Sequence, residues 1–207
     1  MKRDLATLAL AMALAANTAA ADASWTMDMF GLMPTEISYT PNLKRLPAPE
    51  LNGPLPAIAM TTGLTEDWLM SQPEPSGDAE WQCLTEALYF EARGESLEGQ
   101  VAVAEVILNR ADSPLYPRTV CGVVKQRGGG GCQFSYVCRG TTKMREKQAA
   151  DLAGRIARAM LDGAPRVLTD GATHFHTRGV RPSWSKRFAR TASIGAHLFY
   201  RQPGAKG

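Results

Sequence analysis

Over residues 82–92, apolar side chains recur three and four positions apart at Leu84, Ala87 and Leu88, and the same spacing reaches Glu91. The stretch therefore predicts an amphipathic helix with one carboxylate on its apolar stripe. Arg93-Gly94 interrupts the pattern, Ser96 stands where an N-cap belongs, and Leu97 opens a second helix carrying Val101, Ala104 and Leu108 on one face. A short helix is expected over 119–125. A longer one over 143–161 should turn Leu152, Ile156 and Met160 inward and end at Gly163 and Pro165. Residues 128–131 suit no regular structure. Beyond residue 170 the period falls to two. Residues 172–177, 189–193 and 196–201 read as short strands, the last two joined through Ile194-Gly195 into a small antiparallel sheet. The class is α+β, helical with a small sheet.

The N-terminal part lacks these periods. Lys2 and Arg3, an apolar run over 5–16 and small residues over 18–21 predict a secretory signal over residues 1–21. No later apolar run is long enough for a membrane helix, so an exported chain, periplasmic or secreted and without membrane insertion, is expected. Eight of the thirteen prolines fall in residues 22–80, which predict an extended, largely disordered linker ahead of a catalytic domain over 81–203. The net charge of +3 conceals an asymmetry. Residues 22–80 hold nine acids and two bases, and residues 81–207 hold ten acids and nineteen bases, a domain of +9 on an acidic tether. Such a domain suits an anionic polymer, and export favours cell wall over nucleic acid. The apolar fraction of 44% over 207 residues is enough for a real core.

Four cysteines in an exported chain favour two disulfides, with three connectivities open. One of them, Cys121 with Cys132 and Cys83 with Cys138, would close the glycine loop and tie it to the first helix, and is the pairing expected. The five-residue gap between Cys132 and Cys138 is too wide for zinc-type pairs. His174 and His176 share one face of a predicted strand, and His197 falls on a neighbouring strand. No acid stands at ligand spacing with them, so neither metal nor cofactor is expected.

A carboxylate surrounded by Leu88, Tyr89 and Phe90 at a helix end should have a raised pKa, because burial penalises the charged form. That is the property of a general acid. At this point the chain resembles the SleB/CwlJ-type cell-wall hydrolases over about residues 82–201. The resemblance rests on seven pieces in order: ALYFEARGE from Ala87, EGQVAVA from Glu98, VILNR from Val106, VCGVV from Val120, QFS from Gln133, THFH from Thr173 and IGAHLFY from Ile194. It implies a lysozyme-like, lytic-transglycosylase-like α+β domain acting on peptidoglycan glycan strands, and a catalytic glutamate that maps to Glu91. Such proteins often carry a separate wall-binding domain, and none is evident in this sequence.

Two routes lead from Glu91. A hydrolase needs a second carboxylate about 5–9.5 Å away, for which Glu95 is the only close candidate. A lytic transglycosylase lets the muramic acid C6 hydroxyl attack instead, with one glutamate as acid and then base, and the resemblance points to that route. Glu95, Gln133, Ser135, His174, His176 and Tyr200 are candidate substrate-binding residues, and Trp184 offers a stacking face. Glu105 reads as solvent-facing or paired with Arg110. An inactive wall-binding protein and a histidine-based metallohydrolase are the competing readings.

Overall fold

The computed structural model describes residues 57–128 and 131–205. The expected signal, and the expected linker as far as residue 56, lie outside the described residues. Two short helices, α1 (Ala57–Thr62) and α2 (Glu66–Ser71), precede α3 (Ala79–Ala92), α4 (Leu97–Asp112) and α5 (Val120–Val124). Next come a two-residue ribbon, β1 (Arg127–Gly128) with β2 (Gly131–Cys132), then α6 (Ser135–Cys138) and α7 (Lys147–Leu161). A three-stranded antiparallel sheet of β3 (His174–Thr177), β4 (Ala189–Ile194) and β5 (His197–Arg201) closes the order, with β5 between the other two. The α+β class is therefore as expected. No helix among the described residues is long and apolar enough to cross a membrane.

The axis of the domain is α4. Ser96 caps it as expected, its hydroxyl accepting from the Gly99 N–H at 3.3 Å. Val101, Val103, Ala104 and Ile107 enter a core shared with α3, α5 and α7, while Ala102 and Val106 face the other way onto Ala172, Ile194 and Phe199. A helix buried all round is apolar all round, and the run from Val101 to Ile107 has that character. The one-faced expectation for α4 is thus corrected: Leu108 is only half-buried, and residues between the expected stripe positions are fully buried.

Glu105 is corrected too. It is fully buried, and its carboxylate accepts from the Leu168 N–H, the Thr169 N–H and the Thr169 hydroxyl at 2.7–2.9 Å. It is a tie for the loop that leads into the sheet, neither solvent-facing nor paired with Arg110. Arg110 is equally buried; its Nε donates to the Thr173 carbonyl, and the adjacent Asn109 Nδ2 donates to the Ala172 carbonyl at 2.9 Å. Burial lowers the Arg110 pKa to about 10, which leaves it charged at neutral pH. The sheet is hung on the C-terminal half of α4 by these polar side chains.

The linker boundary expected at residue 80 does not hold. Ile58, Leu64 and Leu69 are buried in the helical core, and Arg155 of α7 donates to the carbonyls of Leu69, Gln72 and Pro73 at 2.6–3.2 Å. Trp81 Nε1 donates to the Gly154 carbonyl at 2.9 Å, and a Cβ on Gly154 would lie 3.2 Å from both Trp81 and Pro75. Residues 57–78 are therefore a packed layer on α7. Their prolines separate short helices and do not mark a tether.

The disulfides also differ from the expected pairing: Cys83 bonds Cys121, and Cys132 bonds Cys138. The first follows from α5 lying against α3, where Glu80 accepts from the Val120 and Cys121 N–H groups and sets Cys121 beside Cys83. The second closes a short loop around α6. It leaves no cross-link between that loop and α3.

Candidate active site

Glu91 sits in the last turn of α3. That turn is held against the start of α7 from two sides. The Tyr89 hydroxyl accepts from the backbone N–H of Arg145 and of Glu146 at 3.0 and 3.2 Å, and the Arg93 guanidinium lies over the Tyr89 ring, 4.8 Å from its centroid. Arg93 also donates to the Tyr89 carbonyl at 3.2 Å and approaches Glu146 at 3.7 Å. The Phe90 ring turns to α6 and stacks on Tyr136, with centroids 4.5 Å apart.

Among the described residues the Glu91 carboxyl has no hydrogen bond and no ion pair, although the residue is half-buried. Burial raises its pKa above the ordinary carboxylate value, and the charge of Arg139 opposes this in part. A carboxyl in this setting holds its proton to higher pH than a solvated one. That is the condition for donating a proton to a leaving oxygen.

Tyr136 and Arg139 are the neighbours not singled out from sequence. The Tyr136 hydroxyl is buried with no partner among the described residues; burial first, then the charges of Glu86 and Glu91, push its pKa up, so it stays a neutral O–H. A signal was present in the stretch 133–136. Phe134 and Tyr136 are buried while Gln133 and Ser135 are exposed, and the Cys132–Cys138 bridge brackets all four. Gln133 lines a groove with Gln126, Gly128, Gly131 and Cys132, and Ser135 opens the helix that carries Tyr136. Both candidates therefore lie on the α6 side of Glu91.

Glu95 faces another way. Its Oε2 accepts from the Ala196 N–H at 3.0 Å, and its Oε1 stands 3.6 Å from His197 Nδ1. At 3.6 Å no hydrogen bond forms with the buried imidazole. Burial lowers the His197 pKa, with the Glu95 charge opposing, so the ring is neutral at neutral pH. Gly195, at φ +55°, lets the turn come this close, since a Cβ there would lie 2.2 Å from Glu95 Oε2. The carboxylate is thus a strut between the α3–α4 corner and the β4–β5 turn.

The histidines do not converge. Paired residues across an antiparallel ladder share a face. The pairs Phe175 with Phe199 and Thr177 with His197 therefore lie on the face towards α4, and His174 with Tyr200 and His176 with Leu198 lie on the outer face. Among the described residues no group of three metal-ligating side chains exists. His176 Nε2 meets the Tyr200 hydroxyl at 3.2 Å, both residues are buried, and Trp184 covers them. His174 is wedged among Tyr116, Trp184 and Phe188, and burial together with the Arg110 charge lowers its pKa to about 4. Arg110 lies about 20 Å along α4 from Leu97 at 1.5 Å per residue. His174, His176 and Tyr200, expected as glycan contacts, form a packed cluster of the outer sheet face under Trp184, with His174 at the Arg110 end of α4.

A sequence model described as Cell Wall Hydrolase matches residues 94–200, beginning three residues after Glu91. The spore cortex-lytic enzyme of Bacillus subtilis (strain 168) is 63% identical over 116 residues, covering 56% of this chain and 35% of that protein. The spore cortex-lytic enzyme of Halalkalibacterium halodurans is 35% identical over 131 residues, covering 61% of this chain and 36% of that one. The chain thus spans about a third of the length of these curated relatives. Among solved structures, the catalytic domain of the germination-specific lytic transglycosylase SleB from Bacillus anthracis aligns with a TM-score of 0.49 at 29% identity, over 63% of this chain and all of that one.

Proposed function

The chain belongs to the cell wall hydrolase family, and from that premise we propose that it is an exported enzyme cleaving the β-1,4 bond between N-acetylmuramic acid and N-acetylglucosamine in peptidoglycan. We infer a lysozyme-like domain working as a lytic transglycosylase, with Glu91 as its catalytic residue. The observation that carries this reading is the Glu91 carboxyl itself: half-buried, raised in pKa, and free of hydrogen bonds and ion pairs among the described residues.

In the first step the protonated Glu91 gives its proton to the glycosidic oxygen as the C1–O bond breaks and positive charge develops at the muramic acid C1. The resulting carboxylate lies beside that charge, and the Arg139 cation nearby favours its ionised form. In the second step the C6 hydroxyl attacks C1 while Glu91 takes the hydroxyl proton. A 1,6-anhydro end forms, and the glutamic acid is restored. No water enters and no second carboxylate is required.

Glu95 supports the one-glutamate route over a two-carboxylate hydrolase, because its Oε2 is held by the Ala196 N–H of the β4–β5 turn and its Oε1 faces the buried His197 ring. Gln133 and Ser135, exposed on the α6 side, are the groups we assign to acetamido and hydroxyl recognition. The deciding experiment is mass analysis of peptidoglycan digested by the purified protein and by Glu91→Gln. The expected result is 1,6-anhydro ends from the former and a loss of turnover of about 10²–10⁴-fold in the latter. Reducing muramic ends would assign a hydrolase instead, and an active Glu91→Gln protein would remove Glu91 from the mechanism.

A further inference from the structure

From Gly171 to the last residue the sequence contains no aspartate or glutamate, yet it carries Arg178, Arg181, Lys186, Arg187, Arg190, Arg201 and Lys206. The structure gathers four of these around one surface. Trp184, in the turn Ser183–Lys186, lies on the outer face of the sheet against His174, His176 and Tyr200, with ring centroids 4.8–5.5 Å apart. Arg181, Lys186 and Arg187 lie within three residues of Trp184 along the chain, and all three are exposed. Arg190 pairs with Tyr200 across the β4–β5 ladder and so shares its face.

These four cations are exposed and make no side-chain hydrogen bond or ion pair among the described residues. Elsewhere Arg155, Arg158 and Arg166 are paired with Asp151, Asp162 and Asp112, whereas Arg118, Arg127 and Arg145 have no ion pair among the described residues but lie without an aromatic floor between them. Like charges gathered without a counter-charge repel one another, and an anionic partner relieves that repulsion. The floor between them is aromatic. Trp184 is half-exposed and stacks on Phe188, with centroids 5.6 Å apart.

We propose that this face is a retention site, separate from Glu91, which holds the carboxylates of peptidoglycan stem peptides. Guanidinium groups match carboxylates through paired N–H donors, and an apolar aromatic floor accepts the alkyl parts of a short peptide. Stem peptides present carboxylates repeatedly along a wall polymer, so several weak exposed contacts add up on one particle. His174, on which Trp184 packs, lies beside Arg110 in the last turns of α4, while Glu91 precedes the first turn of that helix, so a strand cut at Glu91 stays attached through its peptides. The inference rests on the reading that peptidoglycan is the substrate.

The test uses the full chain carrying Glu91→Gln, so that binding is read without cutting and independently of whether Glu91 is catalytic. Co-sedimentation with purified sacculi is measured for this protein, for Arg187→Glu/Arg190→Glu, and for Arg118→Glu/Lys125→Glu, which removes the same charge from another exposed region. The outer-face pair should weaken binding by about tenfold or more, and the control pair by far less. Arg187→Gln/Arg190→Gln should fall between, with unchanged melting temperature showing that the fold is intact. Sacculi whose peptide carboxylates are capped as amides with glycinamide should bind the unaltered face as poorly as the reversed one binds native sacculi. Equal losses for the two reversed pairs, undiminished binding to capped sacculi, or tighter binding of a short DNA duplex than of sacculi would each overturn the proposal.

Discussion

The Glu95 side chain and the Ala196 N–H, 101 residues apart in sequence, are joined by a hydrogen bond of 3.0 Å that ties the corner after Glu91 to the β4–β5 turn. Because the carboxylate acts here as an acceptor, Glu95→Gln can keep that bond through its amide oxygen. Its turnover should stay within about tenfold of the unaltered protein, far above that of Glu91→Gln. Gly195→Ala attacks the same strut sterically, through the positive φ and the 2.2 Å approach to Glu95 Oε2. A loss of about 1–3 kcal/mol in denaturant unfolding is expected. Equal collapse of Glu95→Gln and Glu91→Gln turnover would argue for two catalytic carboxylates.

Glu91 should weaken the fold it serves. Its folded pKa lies above the unfolded value, so the folded state binds the proton more tightly. Stability contributed by that proton is present below the unfolded pKa and is lost as pH rises through the folded pKa. Glu91→Gln removes the buried charge at neutral pH. The variant should melt at the same temperature or higher at pH 7, with the advantage shrinking towards pH 4. A lower melting temperature at pH 7 would mean that the carboxylate is satisfied by a favourable partner.

Arg139 opposes the burial effect on Glu91. Arg139→Met should therefore raise the Glu91 pKa further, and the alkaline limb of kcat/KM, where the required proton is lost, should move to higher pH. A limb that stays in place or moves down would show that a different group titrates there.

Much of this arrangement was legible because it is written in local periods. The α3 stripe, the Ser96 cap and the three strands are short-range patterns, and they appear where the spacing puts them. What the sequence concealed depends on partners far away along the chain. Glu105 looked like a surface residue because nothing near it reveals the three donors of residues 168 and 169. His174, His176 and Tyr200 looked like a ligand-facing row, but strand alternation only says that they share a face. That face is occupied by Trp184, which arrives from a segment without periodicity. Tyr136 was visible as an aromatic in a bracketed loop, and only the stack on Phe90 brings it to Glu91.

The two disulfides should contribute unequally. Closing the 38-residue separation of Cys83 and Cys121 restricts the unfolded chain by about 4 kcal/mol, and the 6-residue separation of Cys132 and Cys138 by about 2 kcal/mol. Cys83→Ser/Cys121→Ser should therefore lower the unfolding free energy more. Cys132→Ser/Cys138→Ser should lose less stability and more turnover, because its loop carries Tyr136 against Phe90. The reverse order of stabilities in denaturant titrations would show that native-state strain, and not loop closure, dominates.

The buried residues that precede α3 yield the last expectation. Ile58, Leu64 and Leu69 are buried in the helical core, and each aliphatic side chain so placed is worth about 1.5–3 kcal/mol. Arg155 adds a second loss: with residues 57–78 removed, its guanidinium keeps Asp151 but loses three backbone carbonyls, while the Trp81 and Gly154 surfaces lose Pro75. A protein beginning at residue 57 keeps all of these contacts. One beginning at residue 80 retains Glu91, both disulfides and the sheet, yet should unfold several kcal/mol earlier or fail to fold. Arg155→Ala in the longer chain should reproduce part of that loss without touching the residues around Glu91. Equal stability of the two truncated proteins would return residues 57–78 to the status of a tether and leave the α7 surface able to stand in water without them.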